Sequence, residues 1–103
     1  MNKNNPSPWG RIQTIDEVAP GIFHVTTAGH GGYFLDGQRE RKLQEKLGRV
    51  TTFAGPGWYE EDCDWALVAL AFPETFPARA YQAAIDTCKR VSYLFPVLAR
   101  LAS

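Results

Sequence analysis

From Trp65 to Phe72 the chain carries no polar side chain, and a proline follows at position 73. No other stretch constrains the fold as strongly. A helix that is apolar all round must be covered on most sides, so the rest of the chain has to enclose this segment. Upstream, Gly55-Pro56-Gly57 is turn chemistry, because glycine admits positive φ and proline fixes its own. Downstream, Pro73 disfavours helical geometry at Phe72. Between these stops, Tyr59 to Ala71 holds good helix formers and no glycine or proline. The pattern predicts one central core helix of ~18 Å.

The first half of that expected helix is acidic, with Glu60, Glu61, Asp62 and Asp64 in its first two turns. Exposed N–H groups and the helix dipole favour negative charge there. Four carboxylates nevertheless exceed what capping requires. On a helix, Glu60 and Asp64 would share a face, as would Glu61 and Asp64, and each like-charged pair would repel by a few tenths of a kcal/mol, roughly. One reading is a dipole-stabilised helix start. The other is a functional surface, in which Trp58, Tyr59, Glu60, Glu61, Asp62 and Asp64 join His30 in an acidic and aromatic partner-binding patch.

The remaining segments fit an α+β fold: an N-terminal antiparallel hairpin or three-stranded sheet against two main C-terminal helices and one shorter charged helix. Residues 1–8 are polar and proline-broken, an expected disordered tail before a single domain over residues 9–103. Arg11 to Val18 and Ile22 to Thr27 read as strands joined at Ala19-Pro20-Gly21, whose last two residues suit a type II turn. Ala28-Gly29-His30-Gly31-Gly32 sets one histidine among three glycines, either a backbone cradle that presents His30 or a simple connection before Tyr33-Phe34-Leu35 resumes an extended pattern. It lacks the spacing of a phosphate-binding motif.

Asp36 is positioned to cap a helix from Gly37 to Leu47 that Gly48 ends, with Leu43 and Leu47 as its narrow apolar seam. Val50 to Phe53 reads as a short strand or extended loop. After Pro73, Thr75 is a candidate cap for a last long helix with Pro77 in its first turn. Tyr81, Ala84, Ile85, Cys88, Val91, Leu94 and Phe95 form its buried face. Pro96 breaks that helix before a final turn at Val97 to Leu101.

At 103 residues the chain is one domain. Its 11 basic and 11 acidic side chains cancel, which argues against general nucleic-acid binding. Arg39, Arg41, Lys42, Lys46 and Arg49 are nevertheless close together, interrupted by Glu40 and Glu45, and read as a solvated face or a nucleic-acid contact. Cys63 and Cys88 do not make a disulfide framework, and free thiols fit a reducing cytoplasm. No N-terminal apolar run reads as a signal peptide, and the longest apolar run is too short to span a membrane.

Trp9-Gly10, Ala19-Pro20-Gly21-Ile22, His30-Gly31-Gly32 and the segment from Gly57 to Trp65 together resemble a domain-of-unknown-function family found in bacterial phage, plasmid and integrated-element proteins. The resemblance spans Trp9 to Phe76 and is most specific at the acidic stretch. Asp36 to Arg49 is more charged than the family pattern. The resemblance brings no established activity, so it implies no catalytic residue and no cofactor. It implies a mobile-element setting, in the cytoplasm of a bacterial host, where small solitary proteins often inhibit defence systems such as CRISPR effectors or restriction enzymes.

Three functions follow. The first is a non-enzymatic inhibitor of anti-CRISPR or anti-restriction type, binding a basic surface of a host protein or ribonucleoprotein through the acidic–aromatic patch. The second is a small enzyme or metal-binding protein using His30 with the Glu60–Asp64 cluster, and Cys63 as a candidate nucleophile. Neighbouring acids would raise that thiol's pKa, and no paired-cysteine or HExxH spacing supports a metal site. The third is nucleic-acid contact through Arg39 to Arg49.

Overall fold

The computed structural model describes residues 1–102; Ser103, the last residue of the expected domain, lies outside them. The fold is α+β. Four antiparallel strands, β1 (Thr14–Ala19), β2 (Ile22–Thr26), β3 (Gly31–Leu35) and β4 (Trp58–Glu60), lie in the order β1-β2-β3-β4. Four helices follow or interrupt them: α1 (Gly37–Leu47), α2 (Trp65–Ala71), α3 (Arg79–Arg90) and α4 (Val97–Ala102).

Helix α2 is the centre of the core. Every residue from Ala66 to Phe72 is buried, as its lack of polar side chains requires. Helix α1 packs on α2 through Leu43 and Leu47, α3 packs on α2 through Ala84 and Cys88, and β3 and β4 also meet α2. One sheet face supplies Ile22, Leu35 and Tyr59 to this core. Helix α1 forms as expected. Asp36 accepts a hydrogen bond from the Arg39 N–H at 2.9 Å, and Gly48 ends the helix with φ +81°. Lys46 closes the far end of α2 by donating to the Ala71 carbonyl.

Three expected boundaries are corrected. Helix α2 begins at Trp65, not Tyr59, because Trp58–Glu60 is a strand. Trp58 pairs with Phe34 at a ring separation of 4.7 Å, Tyr59 pairs with Tyr33, and Glu60 pairs with Gly32. Two aromatic residues beside β3 gain more from cross-strand packing and ladder hydrogen bonds than from an extra helical turn. Asp64 is the N-cap of α2 but makes no side-chain cap, and no acidic residue lies in the first turn, so Glu60, Glu61 and Asp62 are not part of the helix start.

Helix α3 stops at Arg90, with Val91 already extended. Phe95 consequently leaves the expected apolar face and is 55% exposed, while Leu94 stays buried. Thr75 sits in a single 3-10 turn, Pro73–Thr75, and its buried hydroxyl has no hydrogen-bond partner. The residue preceding α3 is Ala78, which makes no side-chain cap. Among the described residues, no helix is long and apolar enough to cross a membrane.

Candidate functional site

The strand register splits the acidic run. Because side chains alternate across a strand, Tyr59 points into the core and its two neighbours point away. Tyr59 is completely buried and donates its hydroxyl to Glu40 of α1. Burial, and then that carboxylate, push its pKa far above the ordinary tyrosine value. Asp64 is equally buried. Its carboxyl accepts the Phe53 backbone N–H at 2.8 Å and the Tyr93 hydroxyl at 2.6 Å. The Tyr93 pKa is raised, first by burial and then by this bond to Asp64. Neither Tyr59 nor Asp64 reaches the surface, so these two residues of the expected patch are corrected: both are buried anchors. What remains outside is Trp58, Glu60, Glu61, Asp62 and His30.

These residues meet others that lie far away in sequence. Trp58 stands on the sheet face opposite the helices, at the end of an aromatic row with Phe23 and Phe34. The Trp9 ring meets Trp58 edge-on, with centroids 5.3 Å apart and planes at 86°. Trp9 is fixed by a turn in which its N–H donates to the Ser7 hydroxyl and the Gly10 N–H donates to the Ser7 carbonyl.

Trp9 also lies over Gly32. A β-carbon there would stand 2.7 Å from the Trp9 ring and 2.3 Å from the Tyr59 carbonyl oxygen. The neighbouring Gly31 admits the Glu61 carboxylate, which a β-carbon would meet at 2.9 Å. The two glycines are therefore explained by close approach rather than by a phosphate cradle. His30 precedes them in a tight β2–β3 turn held by Thr27, whose N–H donates to the His30 carbonyl at 2.8 Å. The His30 N–H in turn donates to the Thr27 hydroxyl at 3.3 Å.

At this end of the sheet a cleft of about 370 Å³ is lined by Pro8, Trp9, His30, Phe53, Ala54 and Glu60. Phe53 is 79% exposed, yet its backbone is anchored by buried Asp64. Glu60's pKa is raised, chiefly by burial and then by the Asp62 carboxylate, with His30 acting in the opposite sense. The Trp9 indole N–H is buried without an acceptor.

His30 and Glu60 are thus brought together as two lining groups of one cleft. Glu61 instead faces the other side, 3.7 Å from the His24 imidazole, and its charge helps burial raise the Tyr33 pKa. Trp9 and Phe53 were not among the expected site residues. Trp9-Gly10 carries a signal in the sequence, since a tryptophan just after a polar, proline-broken stretch has to cover something. Phe53 carries none, because its position depends on a buried acid eleven residues on.

Neither thiol is set up as a nucleophile. Burial raises the Cys63 pKa, and the Asp64 and Asp62 charges raise it further; burial pushes the Cys88 thiol up to about 11. Among the described residues, no three His, Cys, Asp or Glu side chains come together in a way that would hold a metal ion. On the basic helix, Arg39 donates to the Pro20 carbonyl at 2.7 Å and Lys46 to the Ala71 carbonyl, so two of the cations have structural work.

The raised Glu60 carboxyl makes a prediction about stability. The folded protein holds that proton more tightly than the unfolded chain, so the favourable contribution is present at low pH and lost as pH rises through the folded value. Glu60→Gln is therefore expected to be more stable than wild type at neutral pH and equal to it below the ordinary carboxylate range, about pH 4. Urea melts at the two pH values check this; a variant less stable at neutral pH contradicts it.

Residues 2–93 match the family model described as Domain of unknown function (DUF7007). No curated protein and no solved structure matches the chain.

Proposed function

Starting from the premise that this chain belongs to the DUF7007 family, a domain of unknown function, we propose that it is a non-enzymatic binding module that engages a protein partner at the cleft end of its sheet. One observation carries the reading. Trp9, His30-Gly31-Gly32 and Glu60, separate in sequence, converge there: Trp9 covers Gly32, and His30 and Glu60 line the same cleft, while Glu61 packs against Gly31 on the opposite face. The exposed ring of Phe53 stands beside them. An exposed aromatic on an anchored backbone, flanked by carboxylates, has the composition of an interface hot spot: the ring supplies buried area and the charges supply steering. The acids favour a partner with a basic surface.

The narrower proposal is that the partner is a bacterial defence protein or ribonucleoprotein, met in the host cytoplasm by a mobile-element product. Its support is the setting implied by the sequence resemblance. A second reading is a small acid–base enzyme, favoured by the shared cleft of His30 and Glu60.

Capture from bacterial lysate tests the binding reading. The wild-type chain is compared with the double variant Phe53→Ser, Asp62→Lys, both sites being exposed and outside the core. The wild type is expected to retain a stoichiometric partner whose binding weakens with salt, and the variant to lose it with an unchanged melting temperature. Identical capture profiles would overturn the proposal.

A further inference from the structure

We propose that the cleft receives the guanidinium of an arginine side chain presented by a protein partner, with Glu60 as its acceptor and the Trp9 and Phe53 rings as its aromatic lining. This deepens the binding-module reading and rests on it.

Size is the first argument. A cleft of about 370 Å³ is at the low end of small-molecule pockets, which run to about 1,000 Å³. It has room for one long side chain rather than a large cofactor.

Chemistry is the second. Two aromatic rings and a carboxylate line the same space, and both favour a cation: the rings through their π faces, the carboxylate through charge-assisted hydrogen bonds. A guanidinium fits this combination better than an ammonium, because it is planar, weakly hydrated and able to stack while donating in its own plane.

Charge is the third. Glu60 is surrounded by other acids, since Asp62 and Asp64 both act on it and His30 alone opposes them. Asp64 spends its hydrogen bonds on Phe53 and Tyr93, which leaves Glu60 as the carboxyl lining the cleft, with the Asp62 charge acting on it from nearby. Entry of an arginine would offset the charge that Asp62 imposes on Glu60.

Trp9 provides the readout. Trp9 lines the cleft and its buried indole N–H has no internal acceptor, so its NMR signal is expected to move when the cleft is filled. The probes are N-acetyl-arginine amide, the corresponding lysine amide, and the citrulline amide, which has nearly the shape of arginine without its charge. Trp9→Phe assigns the indole signal.

Arginine amide is expected to shift the Trp9 signal in a saturable titration, with citrulline silent and lysine clearly weaker. Glu60→Gln is expected to bind arginine about tenfold more weakly, the loss of one charge-assisted contact, and its melting curve verifies that it remains folded. No shift with arginine, an equal shift with citrulline, an equal response to lysine, or undiminished binding by Glu60→Gln would each overturn the assignment. If arginine fails while the lysate partner is still lost in the Phe53 and Asp62 variant, the binding module stands and only its occupant is wrong. If the partner is also retained by that variant, both proposals fall.

Discussion

Gly32→Ala is expected to cost about 3 kcal/mol, the upper part of the range for overpacking, a large share of the roughly 5–15 kcal/mol that holds a domain of this size together. The added methyl would stand 2.3 Å from the Tyr59 carbonyl oxygen and 3.0 Å from the Glu60 Cα, both backbone atoms, and 2.7 Å from the Trp9 ring. The Trp9 contact is the tip of a side chain and can shift, but the two backbone contacts cannot. Relief requires β4 to move away from β3, and Tyr59 is carried on β4 into the core. Gly29→Ala is the control, because nothing stands within 4 Å of a β-carbon there; it is expected to be near neutral. Denaturant melts of the two variants decide the matter. Equal stability would mean that Trp9 and β4 do not close over Gly32 as described.

Asp64→Ala is expected to cost a similar amount, about 3 kcal/mol, by removing two hydrogen bonds to a buried carboxyl worth about 1.5 kcal/mol each. The substitution leaves the Phe53 N–H and the Tyr93 hydroxyl without their acceptor. Tyr93→Phe removes one of the two bonds and is expected to cost about half as much. Asp64→Asn should be milder than Ala, since an amide oxygen can still accept from Phe53 while its NH2 donates to the tyrosine oxygen. A thermal or urea series across the three variants tests the order Ala, then Tyr93→Phe and Asn. Were Asp64→Ala as stable as wild type, the acid would not be a structural anchor, and Asp64 would return to the surface reading that its burial now excludes.

The contrast between these two sites shows what the sequence made legible. The apolar run ending at Phe72 identified the core correctly, because an apolar segment of that length has to be covered, and the seven residues from Ala66 to Phe72 are all buried. Asp36 and Gly48 fixed α1 through local chemistry that needs no knowledge of the rest of the chain. The acidic stretch was not legible in the same way. Read with helical spacing, Glu60 and Asp64 share a face; on a short strand followed by a turn they point to opposite environments, one into a cleft and one into the core.

What decides between the two spacings is β3, whose Phe34 and Tyr33 offer partners to Trp58 and Tyr59. That pairing joins residues about 25 positions apart in sequence and is a tertiary fact overriding local propensity. The cleft was hidden for the same reason. His30 and Glu60 were both candidates, but their partnership depends on Gly32↔Glu60 register, and Phe53 depends on Asp64. Trp65 was also expected at the heart of the core. It is only partly buried and packs at the rim against Phe76, at a ring separation of 6.3 Å.

A buried acid holds an exposed aromatic in place and so builds one wall of the cleft. Amide hydrogen exchange at Phe53 tests this most directly. Phe53 is 79% exposed and lies outside every helix and strand, so its amide would ordinarily exchange fast. The hydrogen bond to Asp64 predicts protection instead, well above that of the neighbouring Thr51 amide in wild type and lost in Asp64→Ala under conditions where that variant remains folded. Fast exchange at Phe53 in the wild-type protein, indistinguishable from Thr51, would contradict the account.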